Sequence, residues 1–299
     1  MNLLSWFALS IYSPALFAVV NHLDTHIICN KLKNHSGMPL YTTSTAFIMS
    51  LIAFICAGFP LLGRAGLILS VSGFLAMMAY ALYYKAIASG DTSLIAALIQ
   101  VSSVFTLVLS ILFLHEHLSL SRWVGFFLIL GAACALSIES SSGKLKLGKA
   151  FWPIILADLF WAIGWIVLKQ AFTVKTFLPI MAYEGFGVTL GGLVLACNPG
   201  IRSAFISSFS EVGRPVIALV VATEAIGITA KMIGFLAVSL GPVAIVSALS
   251  GVQPFFTLLY GYILAGFFPK LFQSQKTGRL LVQQISLTAT LFIGVWLCR

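Results

Sequence analysis

The sequence carries the same pattern twice, about half the chain apart. The segment Ala86–Leu107 (AIASGDTSLIAALIQVSSVFTL) aligns without a gap on the segment Ala237–Leu258 (AVSLGPVAIVSALSGVQPFFTL). The identical pairs are Ala86/Ala237, Gly90/Gly241, Ala97/Ala248, Leu98/Leu249, Val101/Val252, Phe105/Phe256, Thr106/Thr257 and Leu107/Leu258. Such a repeat predicts a protein of two related halves, an architecture that is typical of membrane transporters.

The composition places this repeat in a lipid bilayer. The chain is 60% hydrophobic and only 8% charged, whereas a soluble domain carries roughly 25% charged residues to cover its surface. Lipid is therefore the expected solvent. The formal charge of +9 lies mostly in short stretches between apolar runs, where the positive-inside effect and lipid headgroups account for it. Nucleic acid is not an expected partner.

Ten apolar stretches are long enough to span a bilayer, since a span needs roughly 20 mostly apolar residues. Backbone groups must be satisfied within lipid, and continuous runs of this length predict helices and not a barrel. The first run has no preceding basic region, so we expect it to be a membrane helix and not a cleaved signal peptide. The predicted spans are Leu3–Ile28, Tyr41–Leu62, Ala65–Ile87, Thr92–Leu114, Ser121–Ile138, Phe151–Phe172, Phe177–Cys197, Val216–Leu240, Val243–Phe267 and Leu281–Leu297.

The predicted spans divide into five per half. We expect a first five-helix repeat at residues 1–140, a polar linker at 141–150 and a second five-helix repeat at 151–299. Because five is odd, the second half enters the membrane with the opposite orientation. The predicted fold is therefore an all-α membrane protein with ten transmembrane helices as two inverted five-helix repeats, the arrangement on which alternating access is built.

A set of short motifs extends this interpretation. They are Tyr84-Lys-Ala-Ile-Ala-Ser-Gly, Ala96-Ala-Leu, Phe105-Thr-Leu, Phe113-Leu-His-Glu-His-Leu-Ser, Trp123-Val-Gly, Asn21-His-Leu-Asp in the first span and Leu159-Phe-Trp-Ala in the sixth. Together they resemble the EamA-type members of the drug/metabolite transporter superfamily. The second copy departs from this pattern, because Phe267-Phe-Pro-Lys stands where Glu116 predicts an acidic residue.

The sixth span offers one helical face with polar ends. Asp158, Trp161, Trp165 and Lys169 follow one another at helical spacing, so they share that face. We interpret Trp161 and Trp165 as the wall of a solute cavity, where indole rings offer stacking or cation–π contacts. The alternative is packing between helices, with the charged ends at the membrane interfaces.

Carboxylates within spans are candidate site residues, because ionisable groups in a membrane are costly unless they face a cavity or a partner. Glu224 and Lys231 lie two turns apart on the eighth span, too far for an ideal salt bridge, so they could neutralise a zwitterionic ligand or bond to other helices. Glu184 of the seventh span is either a site residue or an interfacial one. Its neighbours Gly187xxxGly191 predict close helix packing. Asp24 lies in a polar patch of the first span.

Polar residues also occur at equivalent positions of the fourth and ninth spans. Ser102 and Gln253 align in the repeat and could hydrogen-bond a solute. The neighbouring Pro254 must kink its helix or free a carbonyl group, which predicts a hinge. The alternative is a packing kink satisfied by neighbouring helices.

We therefore expect a secondary transporter of small organic solutes, an exporter of metabolites or amino-acid-like compounds, in the bacterial inner membrane. A zwitterion or amine suits the candidate residues, and a proton or counter-solute could couple through Glu224, Glu184 or Asp24. No GxxxxGK[ST], HExxH or GxSxG motif occurs, so we expect no enzyme activity, metal or cofactor. The alternatives are a membrane-embedded lipid-modifying enzyme and a non-transporting scaffold.

Overall fold

A computed structural model describes residues 3–32, 34–61, 63–88, 95, 98–139, 151–173, 176–267 and 278–299. Within these ranges the regular structure is helical, and short 3-10 turns at His35–Gly37 and Ser250–Val252 accompany the α-helices. The predicted all-α class is therefore confirmed. The helices are α1 (Leu3–Asn30), α2 (Met38–Cys56), α3 (Arg64–Ile87), α4 (Val101–Leu114), α5 (Leu120–Glu139), α6 (Phe151–Ala171), α7 (Phe177–Ala196), α8 (Pro199–Glu211), α9 (Arg214–Leu240), α10 (Val243–Leu249), α11 (Gln253–Phe267) and α12 (Gly278–Cys298).

The apolar helices account for the predicted spans. In the described ranges seven segments are long and apolar enough to cross a membrane: α1, α2, α3, α6, α7, α9 and the run from α10 into α11. Three further apolar helices are shorter: Val101–Leu114, Leu120–Leu136 and Gln284–Cys298. The chain is an integral multi-pass membrane protein. Its division into two inverted five-helix repeats stays a prediction, and the predicted linker 141–150 lies outside the described residues.

Three predicted spans differ from the helices that the structure contains, and in the fourth the regular helix begins at Val101, after a turn at Ile99 and Gln100. The second ends at Cys56 and not at Leu62, because Gly58 and Phe59 have φ angles of 69° and 51°, and this left-handed region ends a right-handed helix. The ninth is interrupted by the 3-10 turn Ser250–Val252 between α10 and α11. Breaks of this kind inside a span are common at functional hinges.

The short helix α8 was not predicted. The sequence Asn198-Pro-Gly indicates only a turn, but it also begins a helix, because the Asn198 side chain accepts a hydrogen bond from the Gly200 backbone N–H at 2.9 Å. The rings of Phe205 and Phe209 on α8 contact the ring of Tyr41 on α2, at centroid distances of 4.8 and 5.7 Å. The helix therefore covers the beginning of α2.

Helices from the two ends of the chain interlock. α1 packs against α9 and α11, α6 packs against α3 and α4, α2 packs against α7, and α5 packs against α12. In addition, α3 packs extensively against α7, whereas α2 and α9 meet at few residues.

Glycines allow the close approach of α3 and α7. A Cβ atom at Gly73 would overlap the carbonyl oxygen of Glu184, and one at Gly187 would overlap the carbonyl oxygen of Ser70. At Gly191 a Cβ atom would lie 2.7 Å from a side-chain carbon of the facing helix. The close packing predicted from Gly187xxxGly191 is confirmed, because small residues let helix backbones touch in a membrane.

Candidate functional site

Tyr80 of α3 marks the centre of a polar cluster inside the helix bundle. It lies within electrostatic reach of Asp24 on α1, Glu184 on α7, and Glu224 and Lys231 on α9. We call these five residues the Tyr80 cluster. Four of them are candidates named from the sequence, and the fold brings them together from three different helices.

Glu224 is buried and is held by hydroxyl groups. Its Oε1 atom accepts hydrogen bonds from the Thr42 hydroxyl at 2.8 Å and from the Tyr84 hydroxyl at 3.2 Å. Its Oε2 atom lies 3.5 Å from the Thr45 hydroxyl. Hydrogen bonds offset part of the cost of burying a carboxylate, but these donors carry no positive charge. Glu224 is thus available to a cation.

Lys231 of α9 forms an ion pair with Glu184 of α7. Its Nζ atom donates to both carboxylate oxygens of Glu184, at 2.6 and 2.7 Å, and lies 5.4 Å from the ring centroid of Phe235. The expectation that Lys231 would not pair directly with Glu224 agrees with this geometry. The Lys231–Glu184 pair is electrically neutral as a unit.

Aromatic rings of α6 border the Tyr80 cluster. The ring of Trp161 on α6 lies 5.8 Å from the ring of Tyr80 and 6.0 Å from the ring of Tyr83. Further along α6, the ring of Trp165 lies 5.7 Å from the ring of Phe235 on α9. The predicted face of α6 therefore turns towards α3 and α9. Whether Trp161 and Trp165 contact a solute stays a prediction.

Two carboxyl groups are buried with incomplete hydrogen bonding. Asp24 is 3% exposed and Asp158 is 0% exposed. Among the described residues, Oδ1 of Asp24 and both oxygens of Asp158 have no hydrogen-bond partner. Asp24 lies within electrostatic reach of Glu224, which places it beside the site, and its neighbour Asn21 accepts a hydrogen bond from the Tyr83 hydroxyl at 3.0 Å.

The fourth and ninth predicted spans meet through serines. Ser103 of α4 donates to the Ser247 carbonyl of α10 at 2.8 Å, and the Ser247 hydroxyl donates to the Ser103 hydroxyl at 3.2 Å. The predicted pair, Ser102 and Gln253, makes no described side-chain contact with the Tyr80 cluster. Pro254 is the second residue of α11, directly after the 3-10 turn. Proline is tolerated in a first helical turn, so the interruption precedes it.

A second constellation holds the turn between α9 and α10. Glu116, in the loop after α4, accepts hydrogen bonds from the backbone N–H groups of Val243 at 2.8 Å and Ala244 at 3.1 Å. Lys169 donates to the carbonyl groups of Val238 at 2.8 Å and Gly241 at 2.7 Å. The Glu116 carboxylate thus binds N–H groups at the beginning of α10, and the Lys169 ammonium binds carbonyl groups at the end of α9. Both interactions are favoured by the helix dipoles. We call this constellation the α9–α10 turn clamp.

Sequence reasoning missed several members of the site. Thr42 and Thr45 belong to a Thr-Thr-Ser-Thr run within an apolar helix, and Tyr80, Tyr83 and Tyr84 share one side of α3 at spacings of three and four. Hydroxyl groups in a membrane helix need partners. That signal was present in the sequence, but only the fold identifies Glu224 as the partner.

The fold and the site define a class. This is a multi-pass membrane protein with ionisable side chains clustered between helices from both ends of the chain. Residues 27–138 match the EamA-like transporter family. The match over this range confirms the predicted resemblance to the EamA-type members of the drug/metabolite transporter superfamily.

Two comparisons complement this match. An uncharacterized transporter from a Sinorhizobium species, encoded in the 3′ region of cobO, is 33% identical to this chain over 76 residues. That alignment covers 25% of this chain and 54% of the relative, so the chain matches about half the relative's length. A crystal structure described only as that of a protein superposes with a TM-score of 0.70, covering 99% of this chain and 97% of that one. At 15% identity, this likeness shows the fold alone.

Proposed function

We propose that the protein is a secondary transporter of small organic solutes, an exporter in the bacterial inner membrane that works by alternating access. The Tyr80 cluster carries this proposal. Ionisable residues inside membrane proteins mark solute and ion pathways, and the binding sites of many transporters lie where two repeats meet. The transporter family match over residues 27–138 supports the same class.

The charges of the cluster favour an amine as the solute. Lys231 is neutralised by Glu184, so it offers no free positive charge to an anion. Asp24 and Glu224 have no described ion-pair partner, so a bound organic cation would supply the missing counter-charge. The rings of Tyr80 and of its neighbours add faces that attract organic cations. A zwitterionic amine could also bind, if its carboxylate displaced Glu184 from Lys231.

The helix packing supports two inverted halves. If α1, α3 and α4 correspond to α6, α9 and the α10–α11 run, the contact of α3 with α6 corresponds to that of α9 with α1. The contact of α4 with α6 corresponds likewise to that of α11 with α1, and α2–α7 and α5–α12 correspond to themselves. All of these contacts occur. The two halves differ in that α3 packs extensively on α7, whereas α9 meets α2 at few residues, as expected for one of two alternating states.

Solute flux in proteoliposomes tests the proposal. Purified protein should exchange radiolabelled primary or quaternary amines across the bilayer, with amino acids weaker and dicarboxylates absent from the transported set. Glu224→Gln should reduce exchange at least tenfold while the protein remains monodisperse, because it removes a buried charge that binds the cation. Glu211→Gln on the exposed end of α8 is the matched control and should exchange normally.

The same assay separates the alternatives. If no member of the panel exchanges and the protein instead modifies an added lipid, the enzyme alternative holds. If it does neither, the scaffold alternative holds. If dicarboxylates exchange and amines do not, the charge argument is wrong although transport stands.

A further inference from the structure

Among the described residues, Asp158 of α6 lacks a partner at both carboxyl oxygens, whereas Asp24 lacks one at Oδ1 alone. The Asp158 side chain is fully buried, and within the described residues neither carboxyl oxygen has a hydrogen-bond or ion-pair partner. Its neighbours on α6 include the buried residues Ile154, Ala157 and Ala162. Glu224, by contrast, has three hydroxyl neighbours. Asp158 therefore lies in an apolar environment, and its carboxyl group does not hold two helices together by a hydrogen bond.

Among the described residues, no cation of the helices that pack against α6 pairs with Asp158, and Arg64 and Lys85 at the two ends of α3 and Arg214 at the start of α9 are exposed. α4 and α10 contain no ionisable residue. α3 presents the Tyr80 and Tyr83 rings, which contact Trp161 one turn further along α6. On α9, Lys231 is paired with Glu184, and Glu224 is an acid like Asp158 itself. The described surroundings thus contain aromatic and acidic groups and no free positive charge.

An ionised carboxylate without a partner is very unfavourable in such a place, so the group neutralises instead. In this state Asp158 carries its proton. A solute cation has a better site between Glu224 and Asp24, because these two carboxyl groups lie within electrostatic reach of each other. One turn along α6 from Asp158, the ring of Trp161 lies 5.8 Å from the ring of Tyr80.

We propose that Asp158 is the binding site of the coupling proton, distinct from the solute site at Glu224. In this state the carboxyl O–H bond is intact and buried. In the opposite state the face of α6 meets water, the O–H bond breaks, and the proton passes to water on that side. Amine bound at Glu224 then carries the compensating positive charge through the reverse conformational change, after which α6 meets water on the other side of the membrane and the carboxylate takes up a proton there. One proton crosses per cycle, opposite in direction to the exported amine. This inference rests on the proposed transport function.

The test separates driven transport from exchange. In Asp158→Asn proteoliposomes, amine uptake driven by a pH gradient should fall at least tenfold, and a pH-sensitive dye should report no proton movement coupled to amine. Exchange of labelled for unlabelled amine at equal pH should stay within twofold of wild type. Asp158→Glu should retain driven uptake. Asp24→Asn is the comparison variant, and it should lose exchange and driven uptake together.

The outcomes are distinct. Asp158→Asn that keeps gradient-driven uptake overturns the proposal, and so does a monodisperse Asp158→Asn protein that loses exchange as well. Asp158→Ser serves as a second neutral variant if the asparagine variant is not monodisperse, and it should show the same separation. Wild-type exchange that ignores every pH gradient overturns the coupling role while the transport function stands. Wild-type protein without any exchange overturns both.

Discussion

Two contacts within the bundle occupy corresponding places and are built in opposite ways. In the register of the repeat, Gly73 of α3 corresponds to Glu224 of α9. α3 lies directly on α7, because Gly73 has no side chain to keep it away from the Glu184 backbone. α9 meets α2 at few residues, and the Glu224 carboxylate reaches the hydroxyls of Thr42 and Thr45 across that space.

The comparison shows how one repeated position can serve two tasks. The α3–α7 contact is backbone against backbone and excludes a ligand. The α2–α9 contact is a set of hydrogen bonds to an acid, which a cation can replace. In the proposed alternating-access cycle the two contacts open at different times, and this difference at a single position would allow it.

The sequence predicts a second difference between the two halves, at the α9–α10 turn. The α9–α10 turn is held by Glu116 and Lys169. The corresponding turn of the first half, which contains Gly90, lies outside the described residues. In the sequence, Phe267-Phe-Pro-Lys stands where the counterpart of Glu116 is expected. We therefore expect the clamp to act on one side of the membrane and to have no acidic equivalent on the other.

The largest effect is expected where the close contact is blocked. In Gly187→Ala the added methyl group overlaps the Ser70 carbonyl oxygen, and overpacking of this kind costs about 1–3 kcal/mol. Because each 1.4 kcal/mol is about a tenfold change in an equilibrium, the closed α3–α7 state should become rare and amine exchange should fall about tenfold.

The matched control is Gly227→Ala on α9, where an added Cβ atom has only Val20 nearby, at 3.9 Å. It should exchange at the wild-type rate. Equal rates in the Gly187 and Gly227 variants would mean that the α3–α7 contact does not take part in the cycle.

The next effect is expected at the α9–α10 turn clamp. Glu116→Gln removes the charge that strengthens two hydrogen bonds, and bonds to charged groups contribute about 1.5–3 kcal/mol each. Hydrogen–deuterium exchange of the Val243 and Ala244 amides should become about tenfold faster or more, and transport should change several-fold. Glu211→Gln should leave both unchanged. If the amides keep their protection in Glu116→Gln, the clamp does not hold the turn.

A smaller effect is expected at the interruption before α11. Pro254→Ala allows the 3-10 turn at Ser250–Val252 to become regular helix, so a hinge there would stiffen. The maximal transport rate should fall a few-fold while the affinity for amine is unchanged. Loss of affinity at an unchanged maximal rate would assign Pro254 to the solute site and not to a hinge.

The smallest effect is expected at the end of the aromatic face. Trp165→Ala removes a ring that packs on Phe235, and an exposed cation–π contact contributes about 0.5–1 kcal/mol. The Michaelis constant for amine should rise about two- to fivefold by that contribution. Trp152→Ala, at the exposed start of α6, is the control. Equal constants in both variants would remove Trp165 from the cavity wall.

The sequence predicts the spans well because hydropathy and length are local properties. It predicts the glycine contact of α7 for the same reason, since small residues four apart commonly allow close packing of membrane helices. It does not reveal α8, because a helix of 13 residues with both polar and apolar positions does not differ enough from a loop. The sequence does not reveal the break at Ser250–Val252, because the residues around it remain apolar.

The site is less predictable, because its pairs depend on distant residues. The sequence identifies Glu224 and Lys231 as buried charges, but it does not reveal that Lys231 pairs with Glu184, which lies 47 residues away on α7. Glu116 belongs to a motif that resembles the family pattern, but its role at the α9–α10 turn depends on Val243, which lies 127 residues away in sequence. Asp158 is visible in the sequence, but its lack of partners is a property of the fold.

The central claim is that the α3–α7 and α2–α9 contacts exchange roles during transport. Distances between spin labels measure this directly, with one pair at the exposed positions Val71 and Phe186 and another at Ile48 and Val221, in a background without native cysteines. Adding amine should produce a second population in which the α3–α7 distance lengthens and the α2–α9 distance shortens. Distances that stay fixed, or that change in the same direction, while the labelled proteins still transport amine would contradict the account.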